Sequence, residues 1–136
     1  INDFTSISKL ERLENLNVDY TNISDISFLE KNKKIKELNL KACENIKDFT
    51  PVSKLDRLQI LNVSLTNSSD ISFLEKNKDI IVLNLKGCKN ITDFTPLSKL
   101  ESLEKIDVSD TFISDTSFLR KRNKNKRYIT IYHNLY

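Results

Sequence analysis

The chain has 136 residues, enough for one domain with a sizeable core, and its single Gly and two Pro argue against disordered linkers. No window approaches the ~20 apolar residues of a membrane span, and no signal-peptide pattern is present. The net charge of +3 is uneven: Arg120, Lys121, Arg122, Lys124, Lys126 and Arg127 carry +6, which leaves −3 on a mildly acidic remainder.

In chain order, the first unit is INDFTSISKLERLENLNV at Ile1–Val18. It returns as IKDFTPVSKLDRLQILNV at Ile46–Val63 and as ITDFTPLSKLESLEKIDV at Ile91–Val108. Residues 46–65 and 91–110 share eleven of twenty positions. A second unit, TNISDISFLEKNKKIKELNL at Thr21–Leu40, recurs at Thr66–Leu85 with sixteen of twenty positions unchanged. A chain this repetitive is a stack of one supersecondary unit. It contains no Met and its first residue falls inside a repeat, so it reads as a segment of something longer.

Apolar triplets mark the register: Leu13-Leu16-Val18, Ile35-Leu38-Leu40, Leu58-Leu61-Val63, Ile80-Leu83-Leu85 and Leu103-Ile106-Val108. Their middle members step by 22, 23, 22 and 23 residues. The last two residues of each triplet are two apart, which predicts a short strand with its apolar side inward. Thr21, Cys43, Thr66, Cys88 or Thr111 follows each strand, and then Ile23, Ile46, Ser68, Ile91 or Ile113.

The pattern LxxLxLxx(N/C/T)x(x)I, followed by xDxxxLxxL, resembles the leucine-rich repeat over residues 1–119. The spacing with I-x-D-[FI] is similar to the 22-residue subclass of phosphatase-regulatory repeat proteins and bacterial internalins, with CENI and CKNI resembling its cysteine-containing variants. The resemblance implies an α/β repeat solenoid: a right-handed superhelix with a concave parallel β-sheet and short helical or 3-10 returns on the convex side. The physics agrees, because one unit cannot bury its own apolar residues and neighbours must stack to form a core.

The returns Ile46, Phe49, Val52, Leu55 and Leu58 step by three, which suits 3-10 geometry. Thr50-Pro51 and Thr95-Pro96 read as N-cap followed by N1. Asn32 and Asn77 stand where Leu55 would sit, which predicts looser, wetter returns there. Ser68 occupies a column otherwise made of Ile, so its hydroxyl needs a partner. After Leu119 the spacing slips by one residue across the basic run. Ile129 and Ile131 then form a sixth inward pair, with Tyr128, Thr130 and Tyr132 outward. The expected division is repeats over 1–119 and a basic loop with a terminal capping strand over 120–136; the N-terminus shows no comparable cap.

Cys43 and Cys88 lie two rungs apart, about 10 Å at ~4.8 Å per rung. This exceeds the roughly 7 Å limit for a disulfide. Unpaired thiols favour a cytoplasmic, reducing compartment, with the cell surface as the alternative. A lone His133, no CxxC and Gly87 as the sole glycine offer no catalytic set, metal site or phosphate loop, so neither an enzyme nor a cofactor is expected. The in-phase row Asp3, Asp25, Asp48, Asp70, Asp93 and Asp115 begins each convex turn, where a carboxylate accepts backbone N–H bonds.

Function therefore rests on surfaces. The outward column Asn17-Asn39-Asn62-Asn84-Asp107 reads as a self-bonded amide ladder that also presents donors and acceptors. Ile60 and Val82 are outward, apolar and on neighbouring rungs, with Leu65 just past the strand of the first; Tyr20 joins this candidate set. Apolar anchors ringed by polar groups concentrate binding energy. The basic run Arg120–Arg127 is either a solvated capping loop or a contact for an acidic protein, nucleic acid or anionic surface. The sequons at Asn22, Asn62, Asn67 and Asn90 carry meaning only in a secreted protein. The reading is a non-catalytic scaffold that binds a protein partner through the concave sheet, as an adaptor or regulatory module. The alternatives are an internalin-like adhesion module, or docking to nucleic acid or an anionic surface. The domain is expected to be monomeric in isolation.

Overall fold

A computed structural model describes residues 4–134. Among them, six strands lie in one parallel sheet in sequence order: β1 (Asn15–Asn17), β2 (Glu37–Asn39), β3 (Ile60–Asn62), β4 (Val82–Asn84), β5 (Lys105–Asp107) and β6 (Thr130–Tyr132). Each strand is only three residues long, so the alternation puts one side chain inward and two outward. The inward members Leu16, Leu38, Leu61, Leu83, Ile106 and Ile131 stand in register across the whole sheet.

The chain returns through 3-10 turns: η1 (Thr5–Lys9), η2 (Ser27–Lys31), η3 (Thr50–Lys54), η4 (Ser72–Lys76), η5 (Thr95–Lys99) and η6 (Ser117–Leu119). The apolar step of three is thus a 3-10 period, as expected. Between sheet and returns lies one continuous core, in which Val52, Leu55, Leu58, Leu61 and Val63 of the third rung are wholly buried. Phe49 and Phe73 stack across adjacent returns with ring centroids 5.9 Å apart. At the β1 end, Phe4, Ile7, Leu13 and Leu16 are only partly buried. Their counterparts inside the stack are buried because a rung stands on either side.

Two local expectations need correction. Thr50 and Thr95 are the first residues of η3 and η5 rather than their caps, so Pro51 and Pro96 occupy the second position. The capping is done by the in-phase carboxylates. Asp25, Asp48, Asp70, Asp93 and Asp115 each accept the N–H two residues on, at 2.8–3.0 Å. Asp48 and Asp93 also accept the Thr50 and Thr95 hydroxyls at 2.7 Å. Asp3 and Ile1 lie outside the described residues.

The returns at Asn32 and Asn77 are not loose: they are 3-10 turns like the others. Both side chains are buried, at 0% and 1% exposure. Asn32 Nδ2 donates to the Ile7 and Leu10 carbonyls, and Asn77 Nδ2 to those of Val52 and Leu55, all at 3.0–3.1 Å. Ser68 is buried with its hydroxyl 3.3 Å from that of Thr66.

Candidate interaction surface

Outward residues of the sheet form two columns flanking the buried leucines. The first is Asn15, Glu37, Ile60, Val82, Lys105 and Thr130; the second is Asn17, Asn39, Asn62, Asn84, Asp107 and Tyr132. Ile60 and Val82 are direct register partners in the first column, and Asn62 and Asn84 in the second. Ile60 is 37% exposed and Val82 partly so.

The amide column does not bond to itself. Each Oδ1 of Asn17, Asn39, Asn62, Asn84 and Asp107 instead accepts the backbone N–H two residues later at 2.9 Å. This local turn wins over a ladder because the strand ends there and frees those N–H groups. The bond also fixes each amide's orientation, so the Nδ2 of Asn17, Asn39, Asn62 and Asn84 points away from it. None of these four donates to another described residue.

Just past each strand the backbone turns left-handed at Tyr20 (φ 56°), Ala42 (59°), Leu65 (58°), Gly87 (74°) and Asp110 (56°). Four of these five are not glycine, a conformation that costs L-residues roughly 1–2 kcal/mol. The stack holds it: the N–H groups of Tyr20, Ala42, Leu65 and Gly87 donate to the carbonyls of Lys41, Ser64, Lys86 and Ser109 on the next rung. Sequence reading flagged Leu65 and Tyr20 but missed this shared conformation. Gly87, aligned with them by the 22/23-residue step, was the available signal.

The left-handed turn tips Tyr20 and Leu65 outward, to 66% and 43% exposure. Both line one shallow depression with Ala42 and Gly87 between and beside them. Leu65 lies over Gly87, where an added Cβ would stand 2.5 Å from Leu65 Cδ2. Lys41 Nζ sits 5.5 Å from the Tyr20 ring centroid, a cation–π contact that holds the ring at this edge. The large apolar side chains thus alternate with small ones along the rim of the sheet.

Beneath that rim, Thr and Cys alternate in a file that is buried at Cys43, Thr66 and Cys88 and partly buried at Thr21. Thr21 and Cys43 both donate to the Val18 carbonyl, at 2.8 and 3.1 Å; Thr66 and Cys88 both donate to that of Val63, at 2.7 and 3.1 Å. Both thiols are free and fully buried, so they bind rungs together rather than offer reactive sulfur.

The basic run folds into a tight loop away from Ile60 and Val82, around buried Asn123. Its Nδ2 donates to the Leu103 carbonyl at 2.9 Å, and its Oδ1 accepts the N–H groups of Asn125 and Arg127. Arg120 meets His133 at 3.2 Å, Arg122 covers Tyr128 at 4.9 Å and Arg127 pairs with Glu104 at 3.3 Å. Lys121, Lys124 and Lys126 are exposed. On the convex side the five capping carboxyls are held below the ordinary carboxylate range. The backbone N–H at i+2 is the largest cause for Asp25, Asp70, Asp93 and Asp115, and the Thr50 hydroxyl for Asp48.

Among the described residues, no group of three or more His, Cys, Asp or Glu is placed to hold a metal ion. No helix there is long and apolar enough to cross a membrane.

No family model matches the chain, and no curated protein matches it. Solved structures do. An internalin, InlF, from Listeria monocytogenes superposes with a TM-score of 0.79 at 29% identity, over 98% of this chain and 39% of that one. Internalin C2 of the same organism gives 0.83 at 23% identity, over 98% and 57%. The functional domain of InlJ from Listeria monocytogenes, described as including a cysteine ladder, gives 0.56 at 22% identity, over 99% and 33%. The chain spans between a third and three fifths of the length of these proteins.

Proposed function

The chain is a leucine-rich-repeat solenoid, and on that premise we propose that it is a non-catalytic protein-interaction scaffold whose partner docks on the concave sheet. The observation that carries this reading is the pair Ile60–Val82, two apolar side chains in direct register on a face whose other outward members over β1–β5 are amides and charges. Apolar anchors inside a polar ring are where interfaces concentrate their energy. Tyr20 and Leu65 extend the apolar area to the rim of the sheet. Asn17, Asn39, Asn62 and Asn84 supply oriented donors between the anchors, and Asp107 supplies an acceptor.

Of the two contexts for such a scaffold, we favour an internalin-like surface module over an intracellular adaptor or regulatory subunit. The similarity to InlF over nearly the whole chain supports it. The thiols do not oppose it, because burial and hydrogen bonding shield them from oxidants in any compartment. We assign residues 120–134 to closing the last rung, since half of the basic run's cations are engaged within the fold.

The test is affinity retention on the immobilised domain beside an Ile60→Arg/Val82→Arg variant, with circular dichroism to verify that both are folded. Extracts and surface fractions of the source cell, and of cells it contacts, would be applied to each. A protein retained by the wild type and lost by the variant is the expected result. Equal retention by both would overturn the sheet-face assignment.

A further inference from the structure

The four middle members of the first outward column read acid, apolar, apolar, base: Glu37, Ile60, Val82 and Lys105 in consecutive register. Glu37 and Lys105 are exposed. Among the described residues neither side chain makes an ion pair, although charges one position earlier do: Lys36 pairs with Glu14 at 3.4 Å and Glu104 with Arg127 at 3.3 Å. The apolar pair is therefore bracketed by one uncommitted carboxylate and one uncommitted ammonium.

We infer that this column is the docking track of an amphipathic helix of the partner, one that presents an acid, two apolar residues and a base at i, i+3, i+7 and i+10. This deepens the interaction reading above and rests on it. The pitch argues for a helix. Rungs repeat every ~4.8 Å, so Glu37 and Lys105 stand about 14 Å apart along the sheet. Helical residues at i, i+3, i+7 and i+10 rise in steps of about 4.5–6 Å and span about 15 Å, one residue per rung. An extended segment offers same-face residues every ~6.8 Å and falls out of step by about 2 Å per rung.

Charge sets the direction. The partner's base meets Glu37 and its acid meets Lys105. A helix tolerates an acid best near its N-terminus and a base near its C-terminus, so the N-terminus points toward β5. A trough of about 310 Å³ over β1–β3, lined by Asn15, Asn17, Glu37, Asn39, Ile60 and Asn62, adjoins the Glu37 end of the track and gives the partner's C-terminal turn a seat. The apolar contact supplies the affinity, while the two outer charges fix register and orientation.

The experiment uses a displayed library of 18-residue Ala-based helices randomised at i, i+3, i+7 and i+10. It is selected on the wild-type domain, on a Glu37→Lys variant and on the Ile60→Arg/Val82→Arg variant. The wild type should enrich acid–apolar–apolar–base helices by about tenfold over helices with acids at both i and i+10, and the Glu37→Lys variant, whose track ends in two bases, should enrich the doubly acidic helices instead. Apolar helices with no charge order, absent from the Arg variant, would overturn the partner chemistry and leave the sheet-face reading standing. No enrichment on the wild type, or equal enrichment on the Arg variant, would overturn both.

Discussion

Asn77 donates its side-chain amide to the carbonyl of Leu55, 3.1 Å away and one rung earlier in the stack. The same Nδ2 reaches the Val52 carbonyl at 3.0 Å, and Asn32 makes the equivalent pair with Ile7 and Leu10. Leucine takes this place in the intervening rungs, at Leu55 and Leu100. The architectural period is therefore two rungs, with each Asn-bearing return pinned to the one before it.

Truncating the pin leaves a void and removes two bonds, so Asn77→Ala should lower stability by about 2–3 kcal/mol in urea unfolding. Asn77→Leu should cost clearly less. The Val52 and Leu55 carbonyls keep their bonds from the Leu55 and Leu58 N–H groups, and the buried, unpartnered Asn77 Oδ1 disappears. A Leu variant less stable than the Ala variant would contradict this account.

Ser68 sits at 2% exposure in the column of Ile23, Ile46, Ile91 and Ile113. Thr66 keeps its bond to the Val63 carbonyl whether or not the Ser68 hydroxyl is present. Ser68→Ile should therefore gain apolar burial of about 1 kcal/mol and raise Tm by about 3–4 °C. A calorimetric scan with an unchanged or lower Tm would show that this position has no room for the side chain its column prescribes.

Gly87 is small because Leu65 lies across it. Gly87→Ala should cost about 1–2 kcal/mol, from the positive φ and from contact with Leu65 Cδ2. In a Leu65→Gly background the contact is gone, so the cost of Gly87→Ala should fall to the φ component. A double-mutant cycle measures the difference, and strict additivity would show that the two residues do not touch.

Acid should weaken the fold through the convex carboxyls. Their folded-state pKa values are lowered, so their stabilisation is fully present above the unfolded-state pKa of about 3.9 and is lost as pH falls through the folded values. Asn at position 48 or 93 keeps an oxygen for the i+2 N–H and cannot titrate. Asp48→Asn/Asp93→Asn should therefore flatten the fall of the urea midpoint between about pH 5 and pH 2.5. A slope equal to that of the wild type would remove these two carboxyls from the acid response.

The strands, their register and the 3-10 returns were legible because each is written in apolar spacing, which depends only on neighbours along the chain. The role of Asn32 and Asn77 was not. Their partners lie 22 and 25 residues earlier, and an amide in sequence looks the same whether it meets water or a carbonyl. The outward asparagines suggested a ladder across rungs, but the nearest free donors were their own N–H groups two residues on. Ile60 and Val82 stood out by being apolar in a polar column. Glu37 and Lys105 were in plain view as outward residues, yet their isolation became evident only once Lys36 and Glu104 were seen to be paired elsewhere.

The central claim, that a protein partner occupies the concave sheet, is tested most directly by placing one photo-cross-linking residue at position 82 and, in a second protein, at position 75 on the convex η4. A partner covalently captured from position 82 and absent from position 75 is the predicted result. Capture of the same partner from position 75 but not from position 82 would contradict it.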